Sequence, residues 1–351
     1  MVRCVFSDYD QFADAISGLD GRYLPTARSD KTWWIDPMRV GRLHLQQLQV
    51  GAPATFAGDG EAFAALTVGI PLTDPTAIRI DGESLRNDSF ILIRHDRPLT
   101  YSSLDATRWA GVTVPLQFGE DVHFRDAAEW SAAMLSRTSV TANSAALRRV
   151  SLLVALLCSG GDSINVDDPA ALAAAEEEIL IATGQLLHAS TCVKPSRAGR
   201  PRVTRERVIA RCLDHFRENT GQLILVGDLC RVAEVSERTL RNVFHEYFGV
   251  GPVRLLRARQ LQEIRTALMK AGPARTVSEI AARFGVWDFS LFSRNYRALY
   301  GETPSDTLRN WRPHRDAAPA LALEADAIRS WMNYASRRFH SHAPLPAAQG
   351  A

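Results

Sequence analysis

The sequence predicts an α+β protein in which a β-rich N-terminal domain with accompanying helices precedes an all-α domain that contains two helix-turn-helix units. Three observations predict this arrangement. Short apolar runs separated by turn residues occupy about 40–118, helical periodicity begins near 127, and one helix-turn-helix pattern occurs twice between 229 and 304. The chain has 351 residues, which is enough for two domains with separate cores.

The β-rich region is expected at about 40–118. Its apolar runs include 63–68, 90–93 and 112–114, and turn clusters such as Asp81-Gly82 separate them. Many short strands at this spacing are typical of a β-sandwich or a β-barrel, and the strands alone allow either.

Helical periodicity replaces the strand pattern at about 127–190. Apolar residues recur at three- and four-residue intervals over 127–137 and 144–157. A third helix is predicted from Ala170 to His188, because Asp168 suits an N-cap and Pro169 suits the first helical position. The leucines of this helix form an apolar seam that faces either the rest of the chain or the same helix of a second copy. Homodimerisation therefore remains open.

Charge divides the chain at a predicted linker, residues 194–202, which is rich in Pro, Gly, Ser and Arg. Residues 194–315 contain 23 Lys or Arg against 12 Asp or Glu, although the whole chain has a formal net charge of only +2. The C-terminal part is therefore basic enough to bind a polyanion, and the remainder is acidic.

The first helix-turn-helix copy begins with a short helix at 229–233 and a turn at Glu234-Val235, after which Ser236 caps the next helix. Apolar residues of that helix recur at three- and four-residue spacing and predict a buried stripe. Arg238, Arg241 and Asn242 lie on the remaining surface. Arginine pairs well with guanine and asparagine with adenine in the major groove, so these three side chains are the predicted base contacts.

The second copy follows the first with an offset of 51 residues before the turn and 52 after it. Its positions equivalent to Arg238, Arg241 and Asn242 are occupied by Ser290, Ser293 and Arg294, which complete the predicted DNA-binding set. The residues expected on the core side are Leu291, Phe292, Asn295 and Tyr296. Because serine discriminates bases less strictly and often binds phosphate, the first unit is expected to dominate sequence choice.

One long helix, residues 252–270, is predicted between the two units. At about 1.5 Å per residue it spans roughly 28 Å, close to the ~34 Å between successive major grooves on one face of DNA. Its four arginines are expected to remain solvated or to contact phosphate, and they are Arg254, Arg257, Arg259 and Arg265. A single chain can then bind DNA at two places.

The C-terminal third, about 203–309, resembles the DNA-binding domain of AraC/XylS-family transcription regulators. The most specific segments are 280–294, an Ile-Ala start followed by a Ser-Leu-Phe-Ser-Arg close, and the Gly-Glu-Thr-Pro-Ser sequence at 301–305. Four departures from the family pattern are Glu234 at the usual turn glycine, Val286 and Leu291 at usual aromatic positions, and Thr307-Leu308.

The resemblance implies a seven-helix module with two recognition helices, about 237–247 and 289–300, and a cupin-like barrel in the N-terminal domain. It also implies a transcription activator that binds double-stranded DNA, has RNA polymerase as a partner and is controlled by a small-molecule effector. The predicted organisation is a sensing or dimerisation domain at 1–193, a linker at 194–202, the double helix-turn-helix domain at 203–312 and an extension at 313–351.

The N-terminal half gives no clear ligand site. His44, His95 and His123 stand far apart, so satisfied or surface histidines are favoured over metal ligands, and no metal or cofactor is expected. Four aromatic residues, with Arg94 or Arg97 as a carboxylate partner, would suit an apolar pocket; an ordinary aromatic core is favoured instead. These aromatic residues are Trp33, Trp34, Tyr101 and Trp109.

No catalytic site is predicted. The five cysteines, Cys4, Cys158, Cys192, Cys212 and Cys230, have no metal-binding spacing and are typical of a reduced cytoplasmic protein, here nucleoid-associated. The longest apolar run, 150–158, is too short to span a bilayer, so no membrane partner is expected. Two alternatives remain: an architectural DNA binder without an effector, and a DNA-repair methyl acceptor, which needs an activated cysteine.

Overall fold

The N-terminal half contains two antiparallel sheets in a computed structural model that describes residues 3–60, 64–94, 98–115, 139–159, 168–190, 205–271 and 275–310. The seven-stranded sheet has the order β1 (Cys4–Phe6), β3 (Trp33–Val40), β4 (Leu43–Val50), β11 (Thr107–Pro115), β6 (Ala64–Pro71), β9 (Ser89–Ile93) and β12 (Ser139–Thr141). The five-stranded sheet has the order β2 (Leu19–Pro25), β5 (Ala54–Gly60), β10 (Leu99–Ser103), β7 (Ile78–Ile80) and β8 (Glu83–Ser84).

Aromatic side chains fill the core between these sheets. Trp33, Tyr101 and Trp109 are each 5 % exposed or less. The Tyr101 hydroxyl and the Trp109 indole N–H both reach the Thr107 hydroxyl, at 2.8 and 3.1 Å, so their polar ends are satisfied within the core. Trp34 is also buried and lies under the Arg3 guanidinium at 3.8 Å. The four aromatic residues therefore serve as packing residues, the alternative that the sequence favoured.

The strands begin earlier than the sequence predicted, at Cys4 instead of about residue 40. The predicted turn Asp81-Gly82 joins β7 and β8, and both residues have positive φ, 50° and 81°, as a type I′ hairpin turn requires. A short helix, α1 (Tyr9–Asp14), precedes β2 and is capped by Asp8. The helix predicted at 127–137 and the linker at 194–202 lie outside the described residues.

Two helices cover the outer face of the seven-stranded sheet. They are α2 (Ser144–Ser159) and α3 (Pro169–His188), and they confirm the helices predicted at 144–157 and 170–188. Asp168 caps α3 as expected, since its Oδ1 accepts a hydrogen bond from the Ala170 N–H at 2.9 Å. Leu180 and Leu186 pack against the sheet and are 2 % exposed or less. The leucine seam of α3 is therefore used within the chain.

Residues 205–310 form seven helices, apart from the undescribed 272–274. They are α4 (Arg205–Glu218), α5 (Val226–Ala233), α6 (Glu237–Phe248), α7 (Pro252–Lys270), α8 (Val277–Arg283), α9 (Phe289–Tyr300) and α10 (Pro304–Asn310). Two cores hold them together, one around Phe244 and one around Tyr296. The long helix α7 contributes to both, with Leu255 in the first core and Ile264 in the second.

The sheets and the C-terminal helices pack into one compact unit, and residues 311–351 lie outside the described part of the chain. Helix α1 contacts α7 and α9, where the Thr266 hydroxyl donates to Asp10 Oδ2 at 3.0 Å and the Tyr9 and Tyr300 rings stack at 6.1 Å. Within the described residues, no helix has the length and apolar character needed to cross a membrane.

Candidate nucleic-acid interface

The first helix-turn-helix unit, α5 and α6, turns at a non-glycine residue in the left-handed region. Glu234 has φ 56° and ψ 41°, and its carboxylate lies 2.9 Å from Arg211 Nη1. The hydrogen bond from Arg211 lowers the pKa of the Glu234 carboxyl. The equivalent turn residue of the second unit is Gly285, with φ 77°. Both turns therefore adopt the same backbone region, and in the first unit an ion pair accompanies the strained residue.

Helix α6 presents its predicted base-contacting residues together on one surface. Arg238, Arg241 and Asn242 are all exposed, whereas Leu240 and Phe244 are completely buried. The Ser236 hydroxyl caps the helix by accepting from the Thr239 N–H at 3.3 Å, as the sequence predicted. Arg241 donates to Glu237 Oε1 at 2.8 Å, a solvent-exposed contact one helical turn away that is weak enough to exchange for another acceptor.

Helix α9 presents the equivalent surface in the second unit. Ser290, Ser293 and Arg294 are exposed, and Asp288 caps the helix by accepting from the Leu291 N–H at 2.8 Å. The expectation that Leu291 lies on the core side is wrong, because its side chain is 41 % exposed. Its neighbour Phe292 fills the core together with Tyr296, which leaves Leu291 on the outer surface.

The arginines of α7 divide into two pairs. Arg254 and Arg257 are exposed, as expected, but Arg259 and Arg265 are each 8 % exposed, so the prediction that they stay solvated is wrong. Arg259 turns inward because it donates to the Asn219 carbonyl at 2.7 Å, beyond the end of α4, and pairs with Glu263 at 2.7 Å. These bonds make Arg259 a structural residue.

Arg265 is buried where the two halves of the chain meet. Its guanidinium pairs with Glu302, donates to the Ser7 carbonyl at 3.4 Å and lies 4.7 Å from the Tyr300 ring. It therefore joins α7 to the end of α9 and to the segment before α1.

A cationic cleft of about 690 Å³ lies between the two recognition helices. The basic residues that line it are Arg28, Arg241, His245, Arg254 and Arg257, and no carboxylate is among its described lining residues. Asn295 of α9 also lines it. A cleft with several cations and no lining acid is suited to an anion, and its position next to both recognition surfaces is suited to phosphate.

Arg28 is a member of this cleft that the sequence did not reveal. It lies in the loop after β2, which Arg254 anchors by donating to the Thr26 carbonyl at 2.9 Å. The Arg28 guanidinium lies beside Gly301 at the end of α9, so close that a Cβ added at Gly301 would approach its Cζ to 2.9 Å. Only the folded chain brings Arg28 into this surface, since more than two hundred residues separate it from α6.

The histidines of the N-terminal half that were considered as metal ligands are His44, His95 and His123. His44 Nδ1 lies 3.1 Å from the Ser17 hydroxyl, and His95 and His123 fall outside the described residues. Among the residues that the structure describes, no group of three or more His, Cys, Asp or Glu is placed to hold a metal ion.

Comparison with models of protein families places similarity in this C-terminal region. A family model described as a helix-turn-helix domain matches residues 229–310. The XylDLEGF operon transcriptional activator of Pseudomonas putida is 36 % identical over 100 residues, which cover 28 % of this chain and 31 % of that protein. A probable thc operon regulatory protein of Rhodococcus erythropolis is 31 % identical over 103 residues, 29 % of this chain and 31 % of that protein.

The chain thus matches about a third of the length of these curated relatives. Among solved structures, a probable AraC family transcriptional regulator from Rhodopseudomonas palustris CGA009 is similar at 25 % identity and a TM-score of 0.28, covering 30 % of this chain and 98 % of that one.

Proposed function

We propose that this chain, whose residues 229–310 match a helix-turn-helix family model, is a regulator of the AraC/XylS type that binds specific DNA sequences and activates transcription. The observation that carries the proposal is the pair of recognition helices, α6 and α9, with exposed polar residues on their N-terminal turns. The N-terminal residues of a recognition helix are those that contact base edges in the major groove.

The two helices would contact successive major-groove segments on one face of the duplex. Arg238, Arg241 and Asn242 of α6 supply donors for guanine and adenine, and Ser290, Ser293 and Arg294 of α9 supply a second, less stringent set. The cationic cleft between them would hold the intervening phosphates, whose contacts provide affinity without sequence preference. The Pseudomonas putida relative is a transcriptional activator, which supports activation as the outcome.

The N-terminal sheets and helices are proposed as the domain that controls this binding. A small-molecule effector, RNA polymerase and a second copy of the chain are its proposed partners. The direct packing of α1 on α7 and α9 supports this role. A conformational change in the N-terminal half would be transmitted to the recognition helix α9 through these contacts.

The methyl-acceptor alternative is disfavoured by the state of the described cysteines. Burial raises the pKa of the Cys158 and Cys212 thiols to about 12, and it also raises the pKa of Cys4 and Cys230. A nucleophilic cysteine needs the opposite shift, because the thiolate is the reactive form. Cys192 lies outside the described residues. The architectural alternative is disfavoured by the base-reading chemistry of Arg238, Arg241 and Asn242.

The test combines selection of bound sequences from random DNA duplexes with genome-wide binding of the tagged protein and transcript levels with and without it. The proposal expects one selected motif with two half-sites about one helical turn apart, found upstream of genes whose transcripts fall when the protein is absent. Broad binding without a motif and without transcript changes would leave the architectural alternative.

A further inference from the structure

Three large apolar side chains lie exposed at the start of the second recognition helix. Trp287 is 86 % exposed, Phe289 39 % and Leu291 41 %. They precede or belong to the first turn of α9, and we call them the apolar tip. Large apolar residues exposed beside a predicted contact surface are suited to an apolar feature of the partner.

Folding does not explain the apolar tip. The core of the second unit is filled by other residues of the same helix, since Phe292 is 5 % exposed and Tyr296 is completely buried. The cap of the helix is formed by Asp288 and the backbone N–H of Leu291, so it does not need the apolar side chains of the tip. The corresponding positions in the first unit, at the 52-residue offset, hold Glu237 and Thr239 in place of Phe289 and Leu291. The two recognition helices therefore differ in chemistry where they start.

The apolar tip is interleaved with the predicted DNA contacts of the same helix. Ser290 lies between Phe289 and Leu291, and Arg294 follows Leu291 by three residues, so that the two side chains are neighbours on the helix surface. If α9 binds the major groove as proposed above, Leu291 lies in the same groove beside Arg294. The occupant that we infer for Leu291 is therefore the major groove of the second half-site.

The major groove has one apolar feature that a side chain can recognise, the C5 methyl group of thymine. We propose that Leu291 binds a thymine methyl group and so makes the second unit select thymine at one position of its half-site. The inference rests on the proposed DNA binding and adds to it the base that α9 prefers. Ser290 and Ser293, which discriminate poorly on their own, then no longer have to define the second half-site.

The test uses the duplex selected above and replaces thymines of the second half-site, one at a time, by deoxyuridine. This change removes the methyl group and leaves base pairing and backbone intact. Each contacted methyl should contribute about threefold to fivefold in affinity, from the burial of one carbon group. Deoxyuridine in the first half-site should change affinity little where hydrogen bonds make the contact.

A variant of the protein tests the same contact from the protein side. Leu291→Ser should weaken binding to the thymine duplex and should no longer distinguish thymine from deoxyuridine at the contacted position. Leu152→Ser removes a leucine that is 68 % exposed on α2 and serves as the matched control, with unchanged affinity and unchanged discrimination. Because both leucines are exposed, neither change should alter the thermal unfolding midpoint, which is measured alongside.

Three results would overturn the inference. Deoxyuridine substitution without effect on a well-defined motif would reject the methyl contact while the proposed function stands. If Leu291→Ser binds the duplex normally but loses activation in a transcription assay, the tip contacts a protein instead. If no motif is selected at all, the proposed function fails first, and the inference with it.

Discussion

Burial separates the arginines of the C-terminal helices into two kinds. Arg259 and Arg265 donate to carbonyl and carboxylate oxygens inside the protein, whereas Arg241 and Arg257 remain accessible beside the cationic cleft. A buried arginine is fixed by the acceptors around it, and an exposed one keeps its donors available for base or phosphate. The side chains that would bind DNA are therefore those that folding leaves exposed to solvent.

Replacing Arg241 by Ala should weaken binding to the selected duplex by about 1–3 kcal/mol and relax the preference at one base position. The physical reason is the loss of two donors that match guanine N7 and O6. Affinities for duplexes carrying each base at every position measure the effect. Glu237→Ala is the matched control, because it breaks the same surface ion pair but keeps the guanidinium. An equal loss on all sequences would make Arg241 a phosphate contact.

A second prediction at the residue scale concerns Gly285, the turn residue equivalent to Glu234. Gly285→Ala should lower the free energy of unfolding by about 1–2 kcal/mol, because φ 77° strains a residue with a Cβ. Leu223 Cδ2, at 2.9 Å from the added Cβ, can move since its side chain is half exposed.

Chemical denaturation of Gly285→Ala and of Gly227→Ala provides the measurement. Gly227 lies in α5 without a positive φ, and a Cβ there would meet nothing within 4 Å, so its replacement should stabilise the protein by about 0.5 kcal/mol. Equal effects at both positions would contradict the role of backbone strain.

At the scale of elements, α7 holds the two helix-turn-helix units at a fixed separation. Its nineteen residues begin in the core of the first unit and end in the core of the second. The Arg259–Glu263 pair ties its middle to the end of α4. Burial lowers the pKa of Arg259 and raises that of Glu263, so each charge depends on the other.

Arg259→Met should therefore destabilise the protein by about 3 kcal/mol at neutral pH, because it leaves the Glu263 carboxylate buried without its partner. Glu263 would then have a folded-state pKa further above its unfolded value, and the folded state would bind more protons in the window between them. Stability of the variant relative to the native protein should fall as pH rises through that window. Unfolding curves at pH 5 and pH 8 measure it, and a pH-independent loss would contradict the assignment.

Elements with strong local signals were the ones that the sequence predicted correctly. Helix α3 has a capping Asp168 and a proline after it, and α6 and α9 have apolar stripes with caps at Ser236 and Asp288. The strand β2, by contrast, reads Leu-Asp-Gly-Arg-Tyr-Leu-Pro, and its pairing with the distant β5 supplies what its own pattern lacks. Pairing of this kind is set by the tertiary fold and is invisible to periodicity.

The residues of the candidate site also divide into those that the sequence predicts and those that only the tertiary fold reveals. The exposed positions of Arg238, Arg241, Asn242, Ser290, Ser293 and Arg294 follow from helical geometry, and the structure places them on the surface. Their contacts with bases stay a prediction. Leu291 was misplaced because an apolar residue next to a core position is indistinguishable, by spacing alone, from a core residue. Arg28 was missed because its contact with the end of α9 depends on how the two halves pack.

At the scale of the whole molecule, the N-terminal half contacts the second unit and α4, the helix that precedes the first unit. Tyr9 stacks on Tyr300 at the end of α9, and Arg217 of α4 lies 3.3 Å from Asp59 of β5. The anchored loop that carries Arg28 then adds a cation of the N-terminal half to the cleft between the recognition helices. Under the proposed function, the N-terminal half would therefore contribute a contact to DNA as well as control its binding.

Arg28→Ala in the full chain should weaken DNA binding without changing the preferred sequence. Loss of one phosphate contact should reduce the slope of the logarithm of the binding constant against the logarithm of salt concentration by about 0.9. Titrations at several salt concentrations measure that slope. Arg108→Ala, which removes an exposed arginine of β11, should leave it unchanged. An unaltered slope with Arg28→Ala would mean that the phosphates do not enter the cleft beside α9, whereas a changed base preference would mean that Arg28 contacts a base.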